Sequence, residues 1–133
     1  MLLVIAGQPD RVQDEPLRPG WCGGERDCGG SGVGAVIATM LAEAGAQVVI
    51  CGRRAEPLEA VASTHPNIRG TVCDITDEAQ ISAAIADCAP DIVVANAGAS
   101  ESAPLVKTEL AAFERMMSVN LTGTFLTFRE GAK

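Results

Sequence analysis

Residues 29–54 read GGSGVGAVIATMLAEAGAQVVICGRR, and this stretch decides the fold. Gly32 and Gly34 lack a Cβ, so the backbone amides around them can approach a phosphate closely. A helix starting near Val33 directs its unsatisfied N–H groups and positive dipole end to the same place. Val33, Ile37, Met40, Leu41 and Ala44 fall on one face of that helix, the face expected to pack on a sheet. Gly45 ends the helix, and Gln47 to Cys51 is a short apolar run suited to a strand buried on both faces. Loop, helix and strand in this order make the first half of a dinucleotide-binding βαβ unit, with Ser31, Gly32, Val33 and Gly34 at the pyrophosphate. Arg53 and Arg54 then stand where the second strand ends, beside the expected adenosine ribose. An acidic residue there binds a ribose 2′-hydroxyl. A guanidinium fork instead meets the oxygens of a 2′-phosphate, which predicts NADP as the cofactor, with NAD as the alternative.

The chain has 133 residues, 47% of them apolar, and 14 glycines. That suits one compact α/β domain with a real core rather than a disordered chain. A net charge of −7 and few aromatics argue against a nucleic-acid surface. No apolar run reaches bilayer length, and the opening MLLVIAG has no basic leader, so the cytoplasm is the expected location. The five cysteines are scattered. Cys51, Cys73 and Cys88 lie in or beside predicted buried elements, where a thiol behaves as a small hydrophobe. Cys22 and Cys28 have no partner pair and His65 is the one histidine, so no metal site is expected.

Residues 8–28, QPDRVQDEPLRPGWCGGERDC, have no period, three prolines and many charges. A phosphate-binding glycine loop should follow a buried strand directly, yet Gly24 to Cys28 make a poor one. Two accounts stand open. In the first, residues 2–6 act as a surrogate strand and residues 8–28 are an insertion. In the second, the N-terminal stretch is out of frame: the codons for WCGGERDC, read one base later, permit Gly-Val-Ala-Val-Ser-Val-Thr, a good buried strand. The nucleotide sequence separates the two. The expected organisation is thus an atypical segment over residues 1–28 and a partial dinucleotide-binding domain over 29–133.

Beyond Arg54 the alternation continues. Pro57 is expected to open a helix with Leu58, Val61 and Ala62 inward, and Asn67 to Cys73 reads as a third strand. Thr76 is expected to cap the next helix, whose buried stripe is Ile81, Ala84, Ile85 and Cys88. Asp91 to Ala95 is a fourth strand, running into Asn96-Ala97-Gly98 at the edge where open parallel sheets bind ligands. One last helix is expected over roughly Thr108 to Phe128, with Phe113, Met117, Leu121 and Phe125 on one face. The fold class is therefore α/β, a Rossmann-type doubly wound parallel sheet of about four strands in the order 3-2-1-4, with an atypical first strand.

Four motifs now line up over residues 29–128, and the chain resembles the N-terminal, cofactor-binding half of a classical short-chain dehydrogenase/reductase. Gly29 to Gly34 looks like the end of that family's T-G-x-x-x-G-x-G loop. Asp74, in Cys73-Asp74-Ile75-Thr76-Asp77, matches the acidic residue that contacts the adenine, with Ile75 beside it. Asn96-Ala97-Gly98 matches the N-A-G motif along the cofactor. Asn120, in SVNLTGTF, matches the asparagine of the catalytic tetrad. Two positions depart from the pattern: the first loop glycine and its preceding threonine fall at Cys28 and Asp27. A Cβ at the former obstructs the turn, and a carboxylate at the latter repels a pyrophosphate.

The resemblance implies an NADP(H)-preferring oxidoreductase that interconverts small-molecule alcohols and ketones, with a homo-oligomer for the full-length protein. In the family, hydride moves at the nicotinamide while tyrosine, lysine, serine and asparagine handle the proton and the substrate oxygen. Of these only Asn120 is matched here, and the sequence contains no tyrosine. The chain alone is therefore expected to be inactive. The alternatives are a non-catalytic NADP(H)-binding or interaction module with an exposed apolar face on its last helix, and a truncated or frameshifted product with no function.

Overall fold

The computed structural model describes residues 2–6 and 32–133. Over these the chain forms β1 (Leu2–Ala6), α1 (Val33–Glu43), β2 (Gln47–Gly52), α2 (Ala55–Ala62), β3 (Ile68–Val72), α3 (Glu78–Cys88), β4 (Ile92–Ala95), α4 (Leu110–Met117) and α5 (Thr124–Gly131). The strands make one sheet in the order β3-β2-β1-β4, the order expected from the sequence. Residues 2–6 lie between β2 and β4, in the central slot. The expectations for Gly29, Gly30, Ser31, Cys22, Cys28 and the irregular stretch 8–28 lie outside the described residues.

The expected all-parallel sheet needs one correction. β2 and β3 pair in parallel, with Val48 opposite Ile68 and Gly52 opposite Val72. β1 runs antiparallel to both its neighbours, with Leu2 opposite Cys51 and Ala95, and Ile5 opposite Val48 and Ile92. Hence β2, β3 and β4 share one direction and β1 alone opposes them. A backbone strand satisfies its donors and acceptors in either direction, so hydrogen bonding permits the reversal. Ala6 leaves the slot beside Gln47, at the start of β2. α1 leads by a tight turn into β2 and so begins at the opposite edge of the sheet.

β2 is buried on both faces, and this divides the core in two. Val48 and Ile50 pack against Ala38 and Ala42 of α1 and Leu58 and Val61 of α2. Val49 and Cys51 pack against Ile81, Ala84, Ile85 and Cys88 of α3 and Leu126 of α5. The result is a three-layer arrangement, helices on both sides of the sheet. Ile50 and Ile81 are fully buried, each worth about 2 kcal/mol of transfer free energy.

α1 turns a different face inward from the one expected. Its buried residues are Gly34, Ala38 and Ala42, while Val33 is 68% exposed and Met40 and Ala44 also face outward. Small side chains let the helix axis approach the sheet, with Ile37 and Leu41 closing its flank. Gly45 follows the helix with φ of 95°, the left-handed conformation that terminates it. At α3 the cap is Asp77 rather than Thr76: its carboxylate accepts from the Ala79 and Gln80 amides. The Gln80 amide, then its side chain, holds the Asp77 carboxyl below the usual range. Thr76 instead donates to Asp74. Helix α2 begins at Ala55, so Pro57 sits inside the first turn rather than opening it.

The expected single last helix is interrupted. Between α4 and α5, Ser118–Gly123 forms a π-helical segment. Gly123 lies against Ile75, where an added Cβ would come within 2.6 Å of Ile75 Cδ1. Phe113, Met117, Leu121 and Phe125 are all exposed.

Replacing Val4 by proline tests the central role of β1. Because β1 is paired on both sides, the missing N–H removes a ladder bond whichever neighbour it faces. We expect the urea-unfolding free energy to fall by about 2 kcal/mol or more. An unchanged midpoint would place residues 2–6 outside the sheet.

Candidate functional site

Strands β2, β3 and β4 all end at one edge of the sheet, and three of their following turns converge there. Arg53 follows β2, Asp74 and Ile75 follow β3, and Ala97 and Gly98 follow β4. These five line one cavity of about 100 Å³, with Cys51, Gly52, Cys73, Ala99 and Val119 completing its wall. An open parallel sheet offers its ligand crevice at this edge.

The acidic side of the cavity is fixed by local hydrogen bonds. Asp74 Oδ1 accepts from the Thr76 amide at 3.0 Å and from Thr76 Oγ1 at 2.8 Å. The Asp74 amide donates to Gln80 Oε1 at 2.9 Å, so the start of α3 holds the turn. Asp74 Oδ2 has no hydrogen-bond partner among the described residues. Ile75 is buried in the core beneath α5. Opposite, Arg53 and Arg54 are exposed, and neither forms an ion pair among the described residues.

The loop after β4 is pinned from behind. Asn120 Oδ1 accepts from the Ala99 amide and Asn120 Nδ2 donates to the Ala99 carbonyl, both at 2.8 Å. The side chain thus completes a two-bond clamp resembling a strand pair. Gly98 makes room for it: a Cβ there would meet Asn120 Oδ1 at 3.4 Å. Two residues on, Arg115 of α4 holds the Glu101 carboxylate with both Nε and Nη2, at 3.0 and 2.9 Å. That fork keeps the Glu101 carboxyl below its ordinary range.

The structure therefore gathers Arg53, Asp74, Ile75, Ala97 and Gly98 around one cavity. Gly32, Val33 and Gly34 lie at the start of α1, on the same edge of the sheet but outside the cavity wall. Arg54 immediately precedes α2 and Asn96 follows the last residue of β4, also outside it. Asn120 acts one layer back, through Ala99. Val119 was not singled out from the sequence, and Ala99 was expected only within the stretch 99–106 that could touch a substrate. Ala99 directly follows the Asn-Ala-Gly turn, which is a usable signal, whereas Val119 carries none beyond its adjacency to Asn120.

Known proteins share this fold. Residues 28–133 match the short chain dehydrogenase family. Similar curated proteins include the D-threitol dehydrogenase of Mycolicibacterium smegmatis, 35% identical over 72% of this chain and 40% of its own length. The glucose 1-dehydrogenase of Gluconobacter oxydans is 34% identical, over 74% of this chain and 41% of its own. Among solved structures, a gluconate 5-dehydrogenase from Burkholderia cenocepacia in complex with NADP and tartrate is 35% identical. It superposes with a TM-score of 0.69 over 77% of this chain and 44% of its own. A short-chain type dehydrogenase/reductase from Mycobacterium marinum gives 0.74 at 30% identity, over 77% of this chain and 45% of its own. The chain spans less than half the length of the curated relatives it matches.

Removing the clamp should loosen the loop without unfolding the sheet. For Asn120→Ala we expect a loss of about 1–2 kcal/mol and faster hydrogen exchange at the Ala99 amide. Asn120→Asp keeps the acceptor for that amide and should exchange more slowly than the alanine variant. Equal exchange in all three proteins would show that the clamp does not hold the loop.

Proposed function

We propose, for a chain that belongs to the short-chain dehydrogenase family, the role of an NADP(H)-preferring cofactor-binding half of an alcohol–ketone oxidoreductase. The observation that carries this reading is the single cavity in which Arg53, Asp74 and the Ala97–Gly98 turn meet. A cation, a carboxylate and accessible small-residue backbone suit the adenosine end of a phosphorylated dinucleotide. A nicotinamide cofactor, when bound, supplies the hydride chemistry.

The chain's own residues divide the binding. The first-turn amides of α1, at Val33 and Gly34, have no partner within the helix and would face the pyrophosphate. Ser31 joins this set from its place in the sequence. Arg53 and Arg54 would receive the 2′-phosphate. Asp74 spends Oδ1 on Thr76 and keeps Oδ2 for an amino group on the adenine, beside the apolar Ile75. Asn96, Ala97 and Gly98 would run along the cofactor.

The acid/base side is different. Asn120 commits both amide groups to Ala99, so in this chain it is a positioning residue. The sequence has no tyrosine, so no phenol moves a proton at the substrate oxygen. We therefore propose that the chain binds cofactor without turning over substrate. The full-length protein is proposed to act on small-molecule alcohols or ketones, as a homo-oligomer in the cytoplasm. The committed Asn120 amide also favours a second reading, a binding module whose job ends at holding NADP(H).

Titration of the purified chain with NADPH and NADH tests both. We expect tighter binding of NADPH, and a loss of about tenfold or more in its affinity when Arg53 and Arg54 are both replaced by alanine, with NADH unaffected. Equal affinities in the unaltered chain would remove the NADP preference. Ketone-dependent oxidation of NADPH by this polypeptide would overturn its assignment as inactive.

A further inference from the structure

We propose, on the reading of Asp74 as the residue that meets the adenine amino group, that Gln80 is a positioning residue. It fixes the Asp74 backbone and so sets the site's preference for a base that bears that amino group. Gln80 stands on α3, six residues along the chain from Asp74 and outside the cavity wall.

Aiming a carboxylate takes two restraints, one on the side chain and one on the backbone that carries it. Thr76 supplies the first: its amide and its hydroxyl both donate to Asp74 Oδ1, at 3.0 and 2.8 Å. Gln80 supplies the second, because its Oε1 accepts from the Asp74 amide at 2.9 Å. The Asp74 carbonyl is held as well, accepting from the Asp77 amide at 3.0 Å. Ile75, next in the chain, is buried in the core. With its N–H and C=O both bonded, Asp74 has a set Cα–Cβ direction, and Oδ2 is the oxygen left for a ligand.

The Gln80 amide group is itself oriented. Its Nε2 donates to Asp77 Oδ2 at 2.9 Å. Reversed, its oxygen would face a carboxylate and its nitrogen would face an N–H, two repulsions in place of two bonds. Asp77 is fixed in turn, since its Oδ1 accepts from the Ala79 and Gln80 amides at 3.0 and 3.1 Å. The start of α3 thus holds Asp77, Asp77 orients Gln80, and Gln80 holds Asp74. Gln80 is exposed, so losing its bonds leaves no buried group unsatisfied and costs alignment more than stability. Methionine is the informative replacement, because it is of similar length, forms helix well and has no amide.

Base discrimination tests this. The full chain is titrated with NADPH and with its hypoxanthine counterpart, in which a carbonyl oxygen replaces the adenine amino group. We expect the unaltered chain to favour NADPH by about tenfold or more, the worth of a hydrogen bond to a charged group. Gln80→Met should bring that ratio within about threefold by weakening NADPH alone, and Asp74→Ala should abolish it. A general loosening of the fold would weaken both dinucleotides and keep their ratio. Hydrogen exchange at the Asp74 amide should also be faster in Gln80→Met. A ratio unchanged in Gln80→Met but lost in Asp74→Ala overturns the role of Gln80 and leaves the Asp74 reading standing. Equal affinities in the unaltered chain, binding of neither dinucleotide, or a ratio that survives Asp74→Ala overturns the Asp74 reading and the role of Gln80 with it. Where Gln80→Met does not fold, the unaltered chain decides: protection of the Asp74 amide supports the role, and exchange as fast as in a free peptide overturns it.

Discussion

An interior strand must satisfy hydrogen-bonding groups on both of its sides, and in this protein that demand falls on Leu2–Ala6. With the slot empty, β2 and β4 would each turn an unpaired edge toward the other. A buried backbone group left without a partner costs about 1–3 kcal/mol. Summed over the pairs that β1 makes with β2 and β4, this exceeds the 5–15 kcal/mol by which a typical domain is stable. Filling the slot therefore outweighs the direction in which it is filled. The two cores also depend on it, because β1 keeps β2 and β4 at sheet spacing and so lets α3 and α5 share one face.

The same economy explains how the candidate site holds its form. Its wall is assembled from turns, the least constrained parts of an α/β domain, yet each turn is tied to a helix. Asp74 is held by Thr76 and Gln80 at the start of α3. Ala99 is held by Asn120 and Glu101 by Arg115. The π-helical segment Ser118–Gly123 places Asn120 against the loop while letting α5 settle on Ile75. Such segments inside helices frequently accompany functional positions.

Much of this was legible in the sequence. The period-3.6 stripe Ile81, Ala84, Ile85 and Cys88 is the buried face of α3 without exception. The apolar run after Gly45 became a strand buried on both sides. The gathering of Arg53, Asp74 and Ala97–Gly98 followed from their common place at strand ends. What was not legible has physical causes. An apolar pentapeptide such as Leu2–Ala6 has no polarity in its hydrophobic pattern, so nothing in it distinguishes a parallel from an antiparallel partner. In α1, ranking residues by hydrophobicity favoured Val33 and Met40, whereas close approach to the sheet selected Gly34, Ala38 and Ala42. Thr76 and Asp77 are adjacent and both able to cap, and the neighbouring carboxylate of Asp74 took the threonine.

The reversed strand has a consequence for the order of assembly. β2 and β3 are near in sequence and can pair early, but Leu2 must find Ala95. Contacts of such separation close long loops, and they slow folding. During synthesis Leu2–Ala6 emerges well before its second neighbour, Ile92–Ala95. Leu2–Ala6 thus waits for its permanent place while the residues between are made, and until then it is a sticky strand in search of an edge.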